Sequence, residues 1–260
     1  MYMRLLLPTL LLAGCESSSD QNSSTFQTGE YISRNSNEFH FTVPPQTKQP
    51  LSEYPWSIPS TKINKYSFRC KGDYRNPLLE GHFDCGSANH HSLPLRDNEE
   101  FIYPILINLL NYIQDKSGYT VVITSGHRCP EHNTYIDPST SNQTSKHLIG
   151  AEVSFYLASL ENDPIRSVEL VKRYYLEHPQ KKTISDFTQF QRYDKDDVHL
   201  RTPPWYNKEV FIKLYQPDEG RNGDNKHPYP YISIQVRWDE QLQQRVNYSW
   251  DKSFKGFYRN

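Results

Sequence analysis

The stretch Ile123–Phe155, ITSGHRCPEHNTYIDPSTSNQTSKHLIGAEVSF, decides how this chain is read. Upstream, Tyr119 to Thr124 is β-branched and short, the pattern of a buried strand, and it delivers Ser125, Gly126, His127 and Arg128 at its end. Reactive and binding groups gather at such strand-to-loop exits, because the loop is free to vary while the strand holds it in place. Downstream, Leu148 to Tyr156 reads as a second strand with His147 at the loop end before it. Side chains alternate along a strand, so Glu152 and Ser154 share one face. His127 and His132, which flank Arg128, read as structural histidines.

Outward from this stretch the pattern is α+β. Asp97 as a cap, Glu100 three residues on, and Ile102, Ile105, Leu106, Leu109 and Ile113 on one face predict a helix ending at Gly118. Asp163-Pro164 starts a second helix that runs to about Glu177, with Val168, Val171 and Tyr175 inward. Three further strands are expected at Val210–Tyr215, Tyr231–Arg237 and Arg245–Trp250, the last two as a hairpin. A helix, two strands, a helix and an antiparallel meander make one α+β domain over residues 96–260. Residues 41–95 carry seven prolines with Tyr54, Trp56, Tyr66 and Phe68 among them, and read as an irregular extension that wraps the core.

The chain has 260 residues and is 35% hydrophobic, enough for one sizeable core but hardly two. Its formal charge is −1 and it shows no basic cluster interleaved with aromatics, so a nucleic-acid partner is not expected. The N-terminus reads as an address. Arg4, the apolar run Leu5–Leu12 and the small residues before Cys15 resemble a bacterial lipoprotein signal spanning residues 1–14, with Cys15 as the lipidated residue. Glu16 after it favours the outer membrane, facing the periplasm. Residues 15–40 are polar and Ser/Asn-rich, the composition of a tether.

Three cysteines remain. Cys70 and Cys85 are the expected disulfide, which would contribute roughly 3 kcal/mol by closing a short loop in an oxidising compartment. A zinc site built from Cys70, Cys85, His90 and His91 lacks the paired spacing of structural sites. Cys129 reads as a small buried hydrophobe.

SGHRCPEHN followed by SKHLIGAEV resembles the zinc D-alanyl-D-alanine carboxypeptidases of the hedgehog/DD-peptidase fold, whose pattern is SGYRSxxxN and then SxHxxGxAxD. Ser125, Gly126, Arg128, Asn133, Ser145, His147 and Gly150 match. The resemblance implies an antiparallel sheet with flanking helices and a zinc held by a histidine, by an aspartate seven residues on, and by a second histidine on a late strand. His147 is kept, but Ser154 stands at the aspartate position. YISIQVR resembles the family's WVHVDVR, with Ser233 at the histidine, Gln235 at the aspartate and Arg237 retained. A serine hydroxyl is a poor ligand for a divalent metal. The reading is therefore a lipid-anchored, non-catalytic module without cofactor, binding peptidoglycan stem peptide or an envelope protein through Arg128, Ser145 and Arg237. The alternative is an active zinc D,D-carboxypeptidase or endopeptidase whose metal is held by His147 with Glu152 and His227. His199 is a further candidate ligand. The loop Asp218–Asn225 lacks the alternating order of a calcium loop and reads as a rim loop.

Overall fold

The computed structural model describes residues 62–86, 93–138, 145–195, 198–219 and 222–248. The signal, Cys15, the tether, most of the extension and His90 and His91 lie outside the described residues. In chain order the elements are β1 (Leu95–Arg96), β2 (Glu99–Glu100), α1 (Pro104–Ser117), β3 (Val121–Ser125), α2 (Pro130–Ile136), β4 (Glu152–Leu157), α3 (Pro164–Glu177), α4 (Ser185–Thr188), β5 (Gln191–Arg192), β6 (Trp205–Tyr206), β7 (Val210–Tyr215), β8 (Tyr231–Val236), β9 (Trp238–Asp239) and β10 (Gln244–Arg245). Six of the strands form one antiparallel sheet in the order β3-β4-β8-β7-β6-β5. The protein is thus a mixed α/β domain with few helices, as its pattern predicts.

Strand alternation gives the central sheet two unlike faces. Val153, Phe155 and Leu157 on β4, Ile232, Ile234 and Val236 on β8, and Val210, Ile212 and Leu214 on β7 join the apolar core. There they meet Leu106, Leu109, Leu110 and Ile113 of α1 and Val168, Val171 and Tyr175 of α3. Truncating one of these buried aliphatics to alanine would cost about 2–5 kcal/mol, because the cavity left behind closes only in part. The opposite face carries Glu152 and Ser154, Ser233 and Gln235, and Phe211 and Lys213, all buried. The register places Ser125 opposite Ser154, Ser154 opposite Ser233, and Ser233 opposite Lys213, one row across four strands. A register shift between Ile123 and Ser125 bulges β3 where that row begins.

Three expectations shift. Asp97 and Asn98 do not cap α1; both have positive φ, 53° and 64°, and close the β1–β2 hairpin. The helix begins instead at Pro104, which needs no N–H donor there. Residues Lys146–Ile149 form a 3-10 turn rather than strand, because the Ser145 hydroxyl accepts from His147 N at 3.3 Å, so β4 starts at Glu152. The late hairpin pairs β9 with β10, and Val246 to Tyr248 of the expected last strand are not strand, while Ser249 and Trp250 lie outside the described residues. Asp239 Oδ1 accepts from Gln241 N and Leu242 N, both at 3.0 Å, and turns the chain at once. The α3 helix and β7 keep their expected bounds, with Asp163 capping Arg166 N at 3.3 Å.

The extension does pack on the core. Asn111 of α1 bonds Ile63 through both backbone groups, at 2.9 and 2.7 Å, and His127 N donates to Phe68 O at 2.6 Å. Gly126 lies so close beneath this strap that a Cβ there would sit 2.5 Å from Phe68 O. The glycine of the SGHR motif is therefore a packing requirement.

Candidate functional site

The polar row of the sheet lies where the resemblance implies a metal. His147 Nδ1 bonds Gly126 O at 2.6 Å, which makes it the protonated nitrogen and turns the Nε2 lone pair toward Glu152 Oε1, 3.7 Å away. Ser233 donates to the same Oε1 at 2.6 Å. One residue absent from the sequence reading is Lys213, whose ammonium lies 3.8 Å from that oxygen with its side chain 1% exposed. Its Nζ has no hydrogen-bond partner among the described residues.

The electrostatics follow from this crowding. Burial, helped by Arg128 and opposed by Glu152, pulls the His147 imidazole down to about 4, so the ring is neutral at pH 7. Burial pulls Lys213 down to about 8, against the attraction of Glu152. For Glu152 burial pushes upward, but attraction to His147 when that ring is protonated, attraction to Lys213 and the bond from Ser233 outweigh it and bring the carboxyl to about 2. Glu152 is the fixed anion of the group.

These residues do not fit a catalytic zinc. Such a metal needs about three protein ligands and an open position. Here His147 and Glu152 supply two donor atoms, Ser154 and Ser233 supply neutral hydroxyls, and an ammonium lies against the one carboxylate. His227 does not join them, and among the described residues His147, Glu152 and His227 form no set with donor atoms within 4.8 Å of one another. The His227 ring instead lies 5.0 Å from that of Tyr156 and 6.1 Å from that of Tyr229. His199 is exposed and has φ 48°.

Arg128 is held by Ser125 and by Asp224 of the rim loop. Its Nε donates to Ser125 Oγ at 2.8 Å and to Asp224 Oδ2 at 3.0 Å, while Ser125 donates to the same Oδ2 at 2.7 Å. Asp224 Oδ1 meets His132 Nε2 at 2.9 Å, and His132 Nδ1 meets Asp84 Oδ1 at 2.7 Å. Asp84 Oδ2 accepts from Asp73 N at 2.8 Å and from Asn76 Nδ2 at 2.7 Å. Burial would lower the His132 pKa, but Cys70, Asp224 and Asp84 raise it well above the ordinary value, so it is an imidazolium between two carboxylates. For Asp224 burial pushes upward, and His132 and Arg128 together bring it far below the usual carboxylate range. The rim loop thus docks through Asp224 onto the SGHR turn, and Thr124 adds a bond to Asn225 Oδ1 at 2.5 Å.

The other expected binding residues are placed separately. Ser145 caps the turn of His147. Arg237 donates from Nη1 to Asn207 O, with its guanidinium 4.7 Å from the Tyr206 ring centre. Cys70 and Cys85, the expected disulfide partners, are thiols in the structure, and Cys129 joins them: all three are buried, with sulfurs within 4.8 Å of one another.

No protein-family model, curated protein or solved structure matches this chain. Its chemistry is read from its own residues. Two of those were missed in the sequence. Lys213 had a signal, a single charge in the apolar run VFIKLY, which on a central strand needs a buried counter-ion. Asp224 had none beyond its polar loop, since its partners lie more than ninety residues away.

Proposed function

We propose that the chain is a lipid-anchored envelope protein whose domain is a DD-peptidase-like module that binds rather than hydrolyses. The observation that carries this reading is the Lys213 ammonium 3.8 Å from Glu152, in a row with Ser154 and Ser233. The hydrolytic relatives require a metal cation to polarise a carbonyl and activate water. Here a protein cation takes the adjacent carboxylate, and among the described residues no second imidazole joins His147 and Glu152 in a metal-binding set. Support for binding comes from Arg128. Ser125 and Asp224 fix its Nε, and its Nη2 has no acceptor among the described residues, which leaves a directed donor suited to a carboxylate. The proposed ligand is a peptidoglycan stem peptide, with an envelope protein as the other partner class.

The test has two arms. D-alanine release from a muramyl pentapeptide should stay at background with or without added zinc. Cosedimentation with purified sacculi should occur and should weaken in Arg128→Lys, which keeps the charge and loses the fork. Zinc-dependent turnover abolished by His147→Ala would refute the non-hydrolytic reading. Sacculus binding unchanged in Arg128→Lys would refute the role of Arg128.

A further inference from the structure

The cysteine cluster is linked to Asp224 through His132, and it takes no part in the reading above. Two segments distant in sequence bring it together: the extension gives Cys70 and Cys85, and the turn after the SGHR motif gives Cys129. Their exposures are 2%, 1% and 1%. A second set overlaps the first, because ligand atoms of Asp84, Cys85 and His132 also lie within 4.8 Å of one another. Cys85 is common to both.

A disulfide accounts for two of these sulfurs. It does not account for a third sulfur in the same cluster, nor for an imidazole and a carboxylate against the shared cysteine. The backbone aims donors at the sulfurs as well: Cys129 N donates to Cys70 Sγ at 3.5 Å and His132 N donates to Cys129 Sγ at 3.3 Å. N–H donors of this kind orient the sulfur lone pairs, as they do around metal-bound cysteines. Gly72 adds a steric sign. A Cβ at this glycine would fall 2.1 Å from Cys85 Sγ, 2.8 Å from Asp84 Oδ1 and 2.9 Å from His132 Nδ1, so the three donors close around a backbone that has no room for a side chain.

We propose that Cys70, Cys85, Cys129 and Nδ1 of His132 form a structural zinc site that pins the extension to the domain. Zinc–sulfur bonds of about 2.3 Å place tetrahedral sulfurs roughly 3.8 Å apart, a short inward move for the three sulfurs, while His132, which shares a 4.8 Å set with Cys85 but not with Cys70 and Cys129, joins by exchanging its Nδ1 bond to Asp84 for the metal. Three thiolates and one imidazole suit zinc better than calcium or magnesium, which take oxygen. His132 is prepared for the role: Asp224 holds its Nε2–H at 2.9 Å, the outer carboxylate bond that orients a ligating histidine, and Nδ1 faces Asp84 and Cys85. On binding, the three thiols and Nδ1 release their protons to solvent, and no electrons are transferred.

The test is zinc content of the full-length chain, purified in detergent under reducing conditions. One zinc per chain is expected, lost in Cys129→Ser and in His132→Ala but retained in His147→Ala, which separates this site from the sheet site and from the reading of that site as non-hydrolytic. Cobalt titration of the unmodified chain covers the case in which the cysteine variants fail to fold. Sulfur-to-cobalt charge-transfer absorption supports the site, and its absence overturns it. A zinc-free chain with a Cys70–Cys85 disulfide in its intact mass, or zinc lost in His147→Ala, would also overturn it.

Discussion

Glu152→Gln is the substitution that isolates the pair at the centre of the sheet. The change is nearly isosteric, and the new amide oxygen can still accept from Ser233, so the hydrogen bond at 2.6 Å survives while the charge does not. What is lost is attraction to Lys213 at 3.8 Å, about 4 kcal/mol at an effective dielectric near 20. The same size follows from buried pairs in general, where removing one partner costs about 3–5 kcal/mol because the other charge is stranded. Lys213 has little to fall back on, since burial already holds it down at about 8. Chemical denaturation at pH 7 should therefore show a loss of about 3–5 kcal/mol, or a fall in Tm of roughly 6–20 °C for a domain of this size. The sign with pH is fixed as well. A lysine whose folded pKa lies below its ordinary 10.5 binds more protons unfolded than folded, so stability rises with pH from about 8 to 10.5. In Glu152→Gln that rise should begin at lower pH. Adding Lys213→Met should recover most of the loss, because no buried charge remains. A loss under about 1 kcal/mol, or a Lys213→Met effect that is simply additive, would refute the coupling.

Three further outcomes follow. His147 binds its proton near 6.5 when unfolded and near 4 when folded, so stability should fall as pH drops through that interval, and denaturation of His147→Asn, which keeps a donor for Gly126 O, should show a shallower fall. Asp224→Asn should destabilise by about 3–5 kcal/mol, since it strips the charge from a buried partner of both Arg128 and His132, and a double-mutant cycle with Arg128→Lys should show strong coupling. Gly126→Ala should cost about 1–3 kcal/mol or more through overlap with Phe68 O, measured by thermal melting; a neutral alanine would mean that the strap is not seated on the motif.

Much of the fold was legible because it rests on local patterns. The bounds of α3 came from a capping Asp163 and Pro164, and β7 from a run of apolar residues with clear ends. The misplaced start of α1 shows where that logic fails. Asp97 and Glu100 imitate a capping box, but Asp97-Asn98 is equally good turn chemistry, and the Tyr103-Pro104 step decides the start. The site was half legible. The placement of Glu152 and Ser154 on one face followed from period-two alternation once the strand was drawn, whereas His147 reaches them from a 3-10 turn and Ser233 through the β4–β8 register. Lys213 faces Ser233 only because β7 pairs with β8 in this register, and nothing local specifies that. Cys129 is buried as read, at 1% exposure, but its company was not legible for a related reason. Its neighbour His132 completes a Cys-x-x-His pair inside the SGHRCPEHN stretch, but the partners Cys70 and Cys85 come from a segment whose path over the domain is set by Phe68, Asn111 and Gly126.

The most direct test of the sheet site is anomalous diffraction at the zinc edge from crystals of the protein soaked in zinc. The Lys213–Glu152 pair predicts no zinc peak within bonding distance of His147 Nε2 and an ammonium in contact with Glu152. A zinc peak bridging His147 and Glu152, with Lys213 displaced, would contradict it.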